Sequence, residues 1–255
     1  MKKVVLSLFA VAMMVSCKNG NNNENAPQQD QVEQSLSRSG DVSEDESQWI
    51  YLFDGSNADG WRAYNGEPGE GLPEGWVIED ETLKTLGKGG DIGGDIVYEK
   101  EEFEEFELYL EWKLSPEGNS GVFYHVVEDE KYSAPYFVAP EYQIIDQVGF
   151  PTKLEPWQSI GGDYGMYDPQ YNEADLKEIG EWNSTRIRFT KDKVTYWLND
   201  EVTVEFEPWT EDWERRKSEG KWKDFPDYGT AKSGLIGLQD HGTFTWFRNI
   251  KIKKL

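Results

Sequence analysis

The stretch FELYLEWKL alternates without a break. Phe106, Leu108, Leu110, Trp112 and Leu114 fall on one side, and Glu107, Tyr109, Glu111 and Lys113 on the other. Successive side chains of an extended chain point to opposite faces, so a period of two describes a strand with one buried and one wet face. The same texture returns in WVIEDETLKTL, DIVYEK, GVFYHVV, EYQIID, STRIRFT, KVTYWLND, EVTVEF, GLIGLQD and FTWFRNIKI, separated by short polar or glycine-bearing turns. About ten such strands exceed a small immunoglobulin-like sandwich and predict an all-β, two-sheet jelly roll. The one helical stretch is TEDWERRKSEGKW, with Thr210 placed to cap it and Gly220 to end it. It is short and charged, so it is expected at the periphery, held by Trp209, Trp213 and Trp222.

Before this domain the texture is different. MKK followed by VVLSLFAVAMMV is a basic start and an apolar run shorter than the roughly 20 residues that span a bilayer. It reads as a secretory signal. It ends in MVSC, which looks like a bacterial lipoprotein signal that leaves Cys17 as the lipidated N-terminus. Residues 1–17 are therefore expected to be a signal peptide, with the protein anchored by lipid at the cell envelope, on its periplasmic or outer-surface face. Cys17 is the only cysteine, so an exported chain has neither a disulfide nor a thiol catalyst, and its fold must rest on a packed core. Residues 18–47 are rich in Asn, Gln, Ser and acids, cannot bury enough apolar surface to offset ordering, and are expected to be a disordered tether. Residues 48–255 hold all eleven tryptophans and form the expected domain. With 26 Lys and Arg against 49 Asp and Glu, the net charge of −23 argues against nucleic acid or anionic lipid as a ligand. Contact with the membrane is expected only through the N-terminal lipid.

Polar residues that break the strand pattern mark candidate chemistry. In GNSGVFYHV, Asn119, Gly121, Phe123 and His125 share a face, and an aromatic ring beside an imidazole suits the floor of a sugar site. In EYQIID, Glu141 and Gln143 face one way and Tyr142 and Ile144 the other, with Asp146 at the strand end. Opposite parity argues against Glu141 and Asp146 being the facing carboxylates of an ordinary glycosidase. In LQDHG, Gln239 and His241 look out together while Ile236 and Leu238 point inward. An imidazole with Asp240 behind it is a proton carrier near neutral pH. Arg248 is either an ion-pair partner or an oxyanion donor. No nucleophile elbow, phosphate loop or zinc-spaced Cys/His cluster is present.

The segments YLFDGSNADGWRAY, GWVIEDETL, FELYLEWKLSPEGNSGVFYHV, EYQIID, GDYGMYDP, EWNSTRI, VTYWLND, WKDFPDYG and GLIGLQDHGTFTWFRNIKIKKL occur in the order expected of one bacterial family. The chain resembles the 3-keto-disaccharide hydrolases, also described as 3-keto-glucoside-1,2-lyase and 3-keto-2-hydroxy-glucal hydratase domains. His125 stands where an arginine is commoner, and LND replaces LNG. The resemblance implies a concanavalin A-like lectin/glucanase sandwich and a carbohydrate partner, a 3-keto-glycoside. A ketone at C3 acidifies the C2 hydrogen, so a base can remove it, the C1 oxygen leaves, and water adds to the enone. In this casting His241 and Glu141 are the acid and base, and Arg248 or a bound divalent metal stabilises the enolate. Asn119, Phe123, His125, Gln143, Asp146 and Gln239 hold the sugar. The alternatives are a non-catalytic carbohydrate-binding module of the same fold, a glucanase acting on unoxidised polysaccharide, and a structural surface lipoprotein.

Overall fold

The computed structural model describes residues 46–89 and 94–255, within a compact unit spanning Glu44–Leu255. The expected signal, Cys17 and the tether up to residue 45 lie outside the described residues. The tether's expected last residues belong instead to a 3-10 turn, Glu46–Gln48, where Glu46 pairs with Lys251 at 3.0 Å.

The first strands are β1 (Ile50–Phe53), β2 (Trp61–Ala63), β3 (Trp76–Glu79), β4 (Thr82–Thr85), β5 (Ile96–Phe103), β6 (Phe106–Leu114) and β7 (Asn119–Val126). They are succeeded by β8 (Glu141–Ile145), β9 (Asn183–Phe189), β10 (Val194–Leu198), β11 (Glu201–Phe206), β12 (Gly234–Leu238) and β13 (Thr245–Lys254). Eight build one sheet, in the order β11-β10-β9-β6-β13-β4-β3, with β1 also paired to β13. Five build the other, in the order β2-β5-β12-β7-β8. The strand pairs are antiparallel, and the two sheets pack face to face as an all-β jelly-roll sandwich.

The alternation of β6 is realised in full: Phe106, Leu108, Leu110, Trp112 and Leu114 are buried against the opposing sheet. From the five-stranded sheet, Val122, Tyr124, Tyr142, Ile144, Ile236 and Leu238 enter the same core. Tyr124 and Tyr142 reach across to Tyr196 of β10, by a 2.7 Å hydroxyl contact and a 5.3 Å ring contact respectively. With these residues turned inward, Asn119, Gly121, Glu141, Gln143 and Gln239 must occupy the other face of the small sheet.

The single α-helix among the described residues, α1 (Glu211–Glu219), begins where Thr210 Oγ1 accepts the Trp213 amide at 3.3 Å, and ends at Gly220. Its Trp213 is buried on Tyr228, which stacks on Trp222 at 4.2 Å. The helix and the turn after it thereby form a wall beside the small sheet.

Two bulges redirect side chains, the first of them the His125 that parity placed on the outer face. His125 has φ +55°, and the β7–β12 register shifts beside it. Asn249 has φ +49° in the register shift between Arg248 and Lys251, so Phe247 and Ile250 both point inward and Arg248 points out. Each bulge inserts one extra residue and reverses the facing of the residues beyond it.

Candidate active site

A cavity of about 350 Å³ opens on the outer face of the small sheet. Its floor is Asn119, Glu141, Gln143 and Gln239, with His241 at the rim and Tyr136, Tyr164, Trp222, Phe225 and Lys221 around it. Three chain segments converge because β7 lies between β8 and β12: Gly121 pairs with Gln143, and Gln239 continues the ladder by donating its amide to Gly121 O at 3.0 Å.

Glu141 lies over a glycine. A Cβ on Gly121 would stand 2.2 Å from Glu141 Oε1, so only a bare backbone lets the carboxyl lie across β7. Phe123 stands opposite Glu141 in the register and contributes apolar surroundings. Burial drives the Glu141 carboxyl well above the usual range, the neighbouring Asp95 and Asp163 push it further, and Lys221 and Gln239 partly oppose them. Burial thus favours the protonated carboxyl, the form that can donate a proton. Asp95, whose Oδ1 accepts the Asp240 amide at 3.0 Å, is itself raised to about 7, chiefly by burial. Asp163 is raised well above the usual carboxylate range, again chiefly by burial.

Asn119 Oδ1, Gln143 Oε1 and Gln239 Oε1 are buried and accept no hydrogen bond. A buried acceptor without a donor costs roughly 1–3 kcal/mol, so three on one floor mark a surface that a ligand completes. The ligand must bring donors, as a row of sugar hydroxyls does, or a hard cation, which takes oxygen ligands. Among the described residues no group of three or more His, Cys, Asp or Glu side chains gathers to hold a metal. Any cation here would rest on these amide oxygens and Glu141.

His241 owes its place to the turn that carries it. Asp240 does not buttress the imidazole: its Oδ2 accepts the Gly89 amide and its Oδ1 the Gly242 amide, at 2.9 and 3.0 Å. Thr243 Oγ1 accepts the Asn119 amide at 3.0 Å and is within 3.1 Å of Asn119 O, tying the far end of the turn to β7. The carboxylate beside the histidine shapes the backbone that aims it.

Four residues expected at the site lie elsewhere. The bulge sends His125 into the core, where Nε2 bonds Glu104 O at 2.9 Å and the ring meets Phe189 at 4.4 Å; burial lowers its pKa to about 4. Phe123 is on the expected face, but it is covered by Val138 and Ala139 and offers no stacking surface. Asp146 joins two turns by accepting the Glu117 and Gly149 amides, beside a separate cavity lined by Trp112 and Ile145. Arg248 lies on the outer face of the large sheet, paired with Glu111 at 2.6 Å and stacked 4.0 Å from Trp182. Of its two readings, the ion pair is the one that the geometry shows.

Sequence reasoning missed the wall. Tyr164 closes a loop that extends the small sheet, with the Tyr164 amide on Glu141 O and the Gln143 amide on Gly162 O. Trp222 Nε1 donates to Tyr164 O at 3.0 Å. The segments GDYGMYDP and WKDFPDYG that supply these residues carry no alternation, and only their aromatic density hinted at a surface.

The family described as 3-keto-alpha-glucoside-1,2-lyase-like domain matches residues 48–253. A Bacteroides thetaiotaomicron protein named 3-keto-disaccharide hydrolase is 33% identical over 298 residues, covering 100% of both chains. A crystal structure of a candidate glycosyl hydrolase from Parabacteroides distasonis is 38% identical with a TM-score of 0.74, covering 82% of this chain and 94% of that one. A second from the same organism is 28% identical with a TM-score of 0.59, covering 81% and 99%.

Proposed function

The chain belongs to the family of 3-keto-alpha-glucoside-1,2-lyase-like domains and is a glycoside-cleaving enzyme; we propose that it cleaves 3-keto-glycosides by elimination and then hydration, at the cell envelope. The observation that carries this reading is the convergence of Glu141 and His241 on one cavity whose floor presents three unpartnered amide oxygens.

The chemistry divides between the two groups. His241, on the open rim, accepts the C2 proton that the C3 ketone has made acidic. The electron pair forms the enolate and, as it returns, expels the C1 oxygen. Glu141, whose protonated form burial favours, gives that oxygen its proton. Asn119, Gln143 and Gln239 accept the sugar hydroxyls and fix the ring over the two groups. Water then adds across the enone, and the sum is hydrolysis. One acid and one base suffice, which fits a floor that among the described residues has Glu141 and no second facing carboxylate.

The test is turnover of a 3-keto-glucoside against its unoxidised parent, monitored by release of the free sugar. His241→Ala and Glu141→Gln are each expected to lower kcat/KM at least about 100-fold with unchanged thermal unfolding. Wild-type kcat/KM in both variants would remove the assignment. Saturable binding of either sugar without product would favour the binding-module alternative.

A further inference from the structure

Elimination at this site creates one charge that Glu141 and His241 do not meet. When the C2 proton departs, the carbonyl electron pair moves to the C3 oxygen, and an enolate in a partly dry cavity needs a positive group facing it. Arg248 cannot serve, because it lies on the other side of the sandwich. The cavity itself supplies one candidate.

We propose that Lys221 is that group: its ammonium receives the C3 carbonyl oxygen and stabilises the negative charge as the enolate forms. This rests on the 3-keto-glycoside reading of the same site. Among the described residues, Lys221 is the single Lys or Arg that lines the cavity. Its stem is held against backbone: a Cβ on Gly165, whose φ is +73°, would stand 2.9 Å from Lys221 Cβ and 3.0 Å from Trp222 Nε1. Its Nζ lies 5.7 Å from the Tyr164 and Trp222 ring centroids and 5.8 Å from Trp157. Ring faces hold an ammonium in place without neutralising it.

Of the wall's other cations, Lys223 is exposed and does not line the cavity, and the rest are committed elsewhere. Arg216 pairs with Asp212 at 2.8 Å, Lys217 donates to Pro226 O at 2.8 Å, and Lys131 lies 3.6 Å from Asp227. Lys221 is therefore the wall cation that lines the cavity, and it acts on the Glu141 carboxyl electrostatically. The floor amides are neutral and serve hydroxyls. The step balances: the C2–H bond breaks and its proton goes to His241, C2=C3 forms, and the oxygen facing Lys221 takes the charge. C3=O is then restored as the C2=C3 pair moves to form C1=C2, the C1–O bond breaks with its electrons leaving on oxygen, and that oxygen takes the proton of Glu141.

The experiment compares Lys221→Met and Lys221→Arg in the full-length protein on a 3-keto-glucoside. It measures kcat, KM, thermal unfolding, and exchange of the C2 hydrogen with deuterium from the solvent. Lys221→Met is expected to lose about 100- to 1,000-fold in kcat, the range for removing one oxyanion donor, with KM changed less than about threefold. C2 exchange should fall in parallel, with unfolding unchanged, and Lys221→Arg, which keeps the charge, should retain clearly more activity. A wild-type kcat in Lys221→Met, a change in KM alone, or equal losses in both variants overturns the proposal. Equal loss also covers imine formation, which arginine cannot perform. If the wild-type protein neither cleaves nor exchanges the 3-keto-glucoside, the site reading fails first, and that result is distinct from a failure at Lys221.

Discussion

Gly121 and Glu141 behave as one unit. The carboxyl occupies the space that a side chain on Gly121 would take, since a Cβ there would come within 2.2 Å of Glu141 Oε1. Gly121→Ala therefore moves Glu141 rather than straining the backbone, since Gly121 has no left-handed φ. A shift of about 1 Å in a reacting group costs on the order of 100-fold, so kcat/KM should fall by about that factor. Denaturant unfolding should change by under about 2 kcal/mol, a loss confined to the catalytic face. His125 makes a different prediction. It is neutral and buried with a pKa of about 4, against about 6.5 when unfolded. Below pH 6.5 the unfolded chain binds a proton that the folded one refuses, so this histidine's contribution is present at pH 7 and lost as pH falls towards 4. Between pH 7 and 5 that loss is about 2 kcal/mol. Chemical denaturation of His125→Gln should show a correspondingly smaller decline over that interval; an identical decline would mean that the imidazole is not buried neutral.

Among the elements, strands were legible and their interruptions were not. The period of two located β6, β8 and β12 and put Glu141, Gln143 and Gln239 on the face where the cavity floor has them, because each run up to those residues keeps an unbroken pleat, whereas His241 reaches the rim from the turn after β12. Parity failed at His125, itself a positive-φ residue. A bulge depends on what the neighbouring strands require, here the close approach of Gly234, where a Cβ would meet the His125 carbonyl carbon at 2.4 Å. The wall formed by α1 and the turn after it was legible as a helix with tryptophans, but its place beside the cavity was not. The Trp222–Tyr164 bond joins that wall to the sheet extension. Trp222→Phe leaves Tyr164 O without its donor and should cost about 1–3 kcal/mol in urea unfolding. It should raise KM several-fold while kcat falls less than about threefold, because the wall shapes the cavity and does not move protons. A collapse of kcat at unchanged KM would give Trp222 a different part.

At the scale of the whole molecule, charge dominates. A net charge of −23 makes the folded chain repel itself, and salt screens that repulsion over roughly 10 Å at 0.1 M. Raising NaCl from about 0.02 to about 0.5 M should therefore raise the thermal midpoint by a few degrees, read by scanning calorimetry. A fall would mean that exposed pairs such as Lys193–Glu205 and Lys100–Asp59 outweigh the repulsion. The sequence by itself determined the β class, the helix caps, the acidic surface and the outward facing of Glu141 and Gln143, because these depend on local periodicity and local chemistry. Only the tertiary structure decided that β7 lies between β8 and β12, that Asp240 serves the backbone, and that Lys221 rather than Arg248 stands at the cavity. Those facts depend on which strands become neighbours and where bulges fall, and they are settled by the packing of segments far apart in the chain.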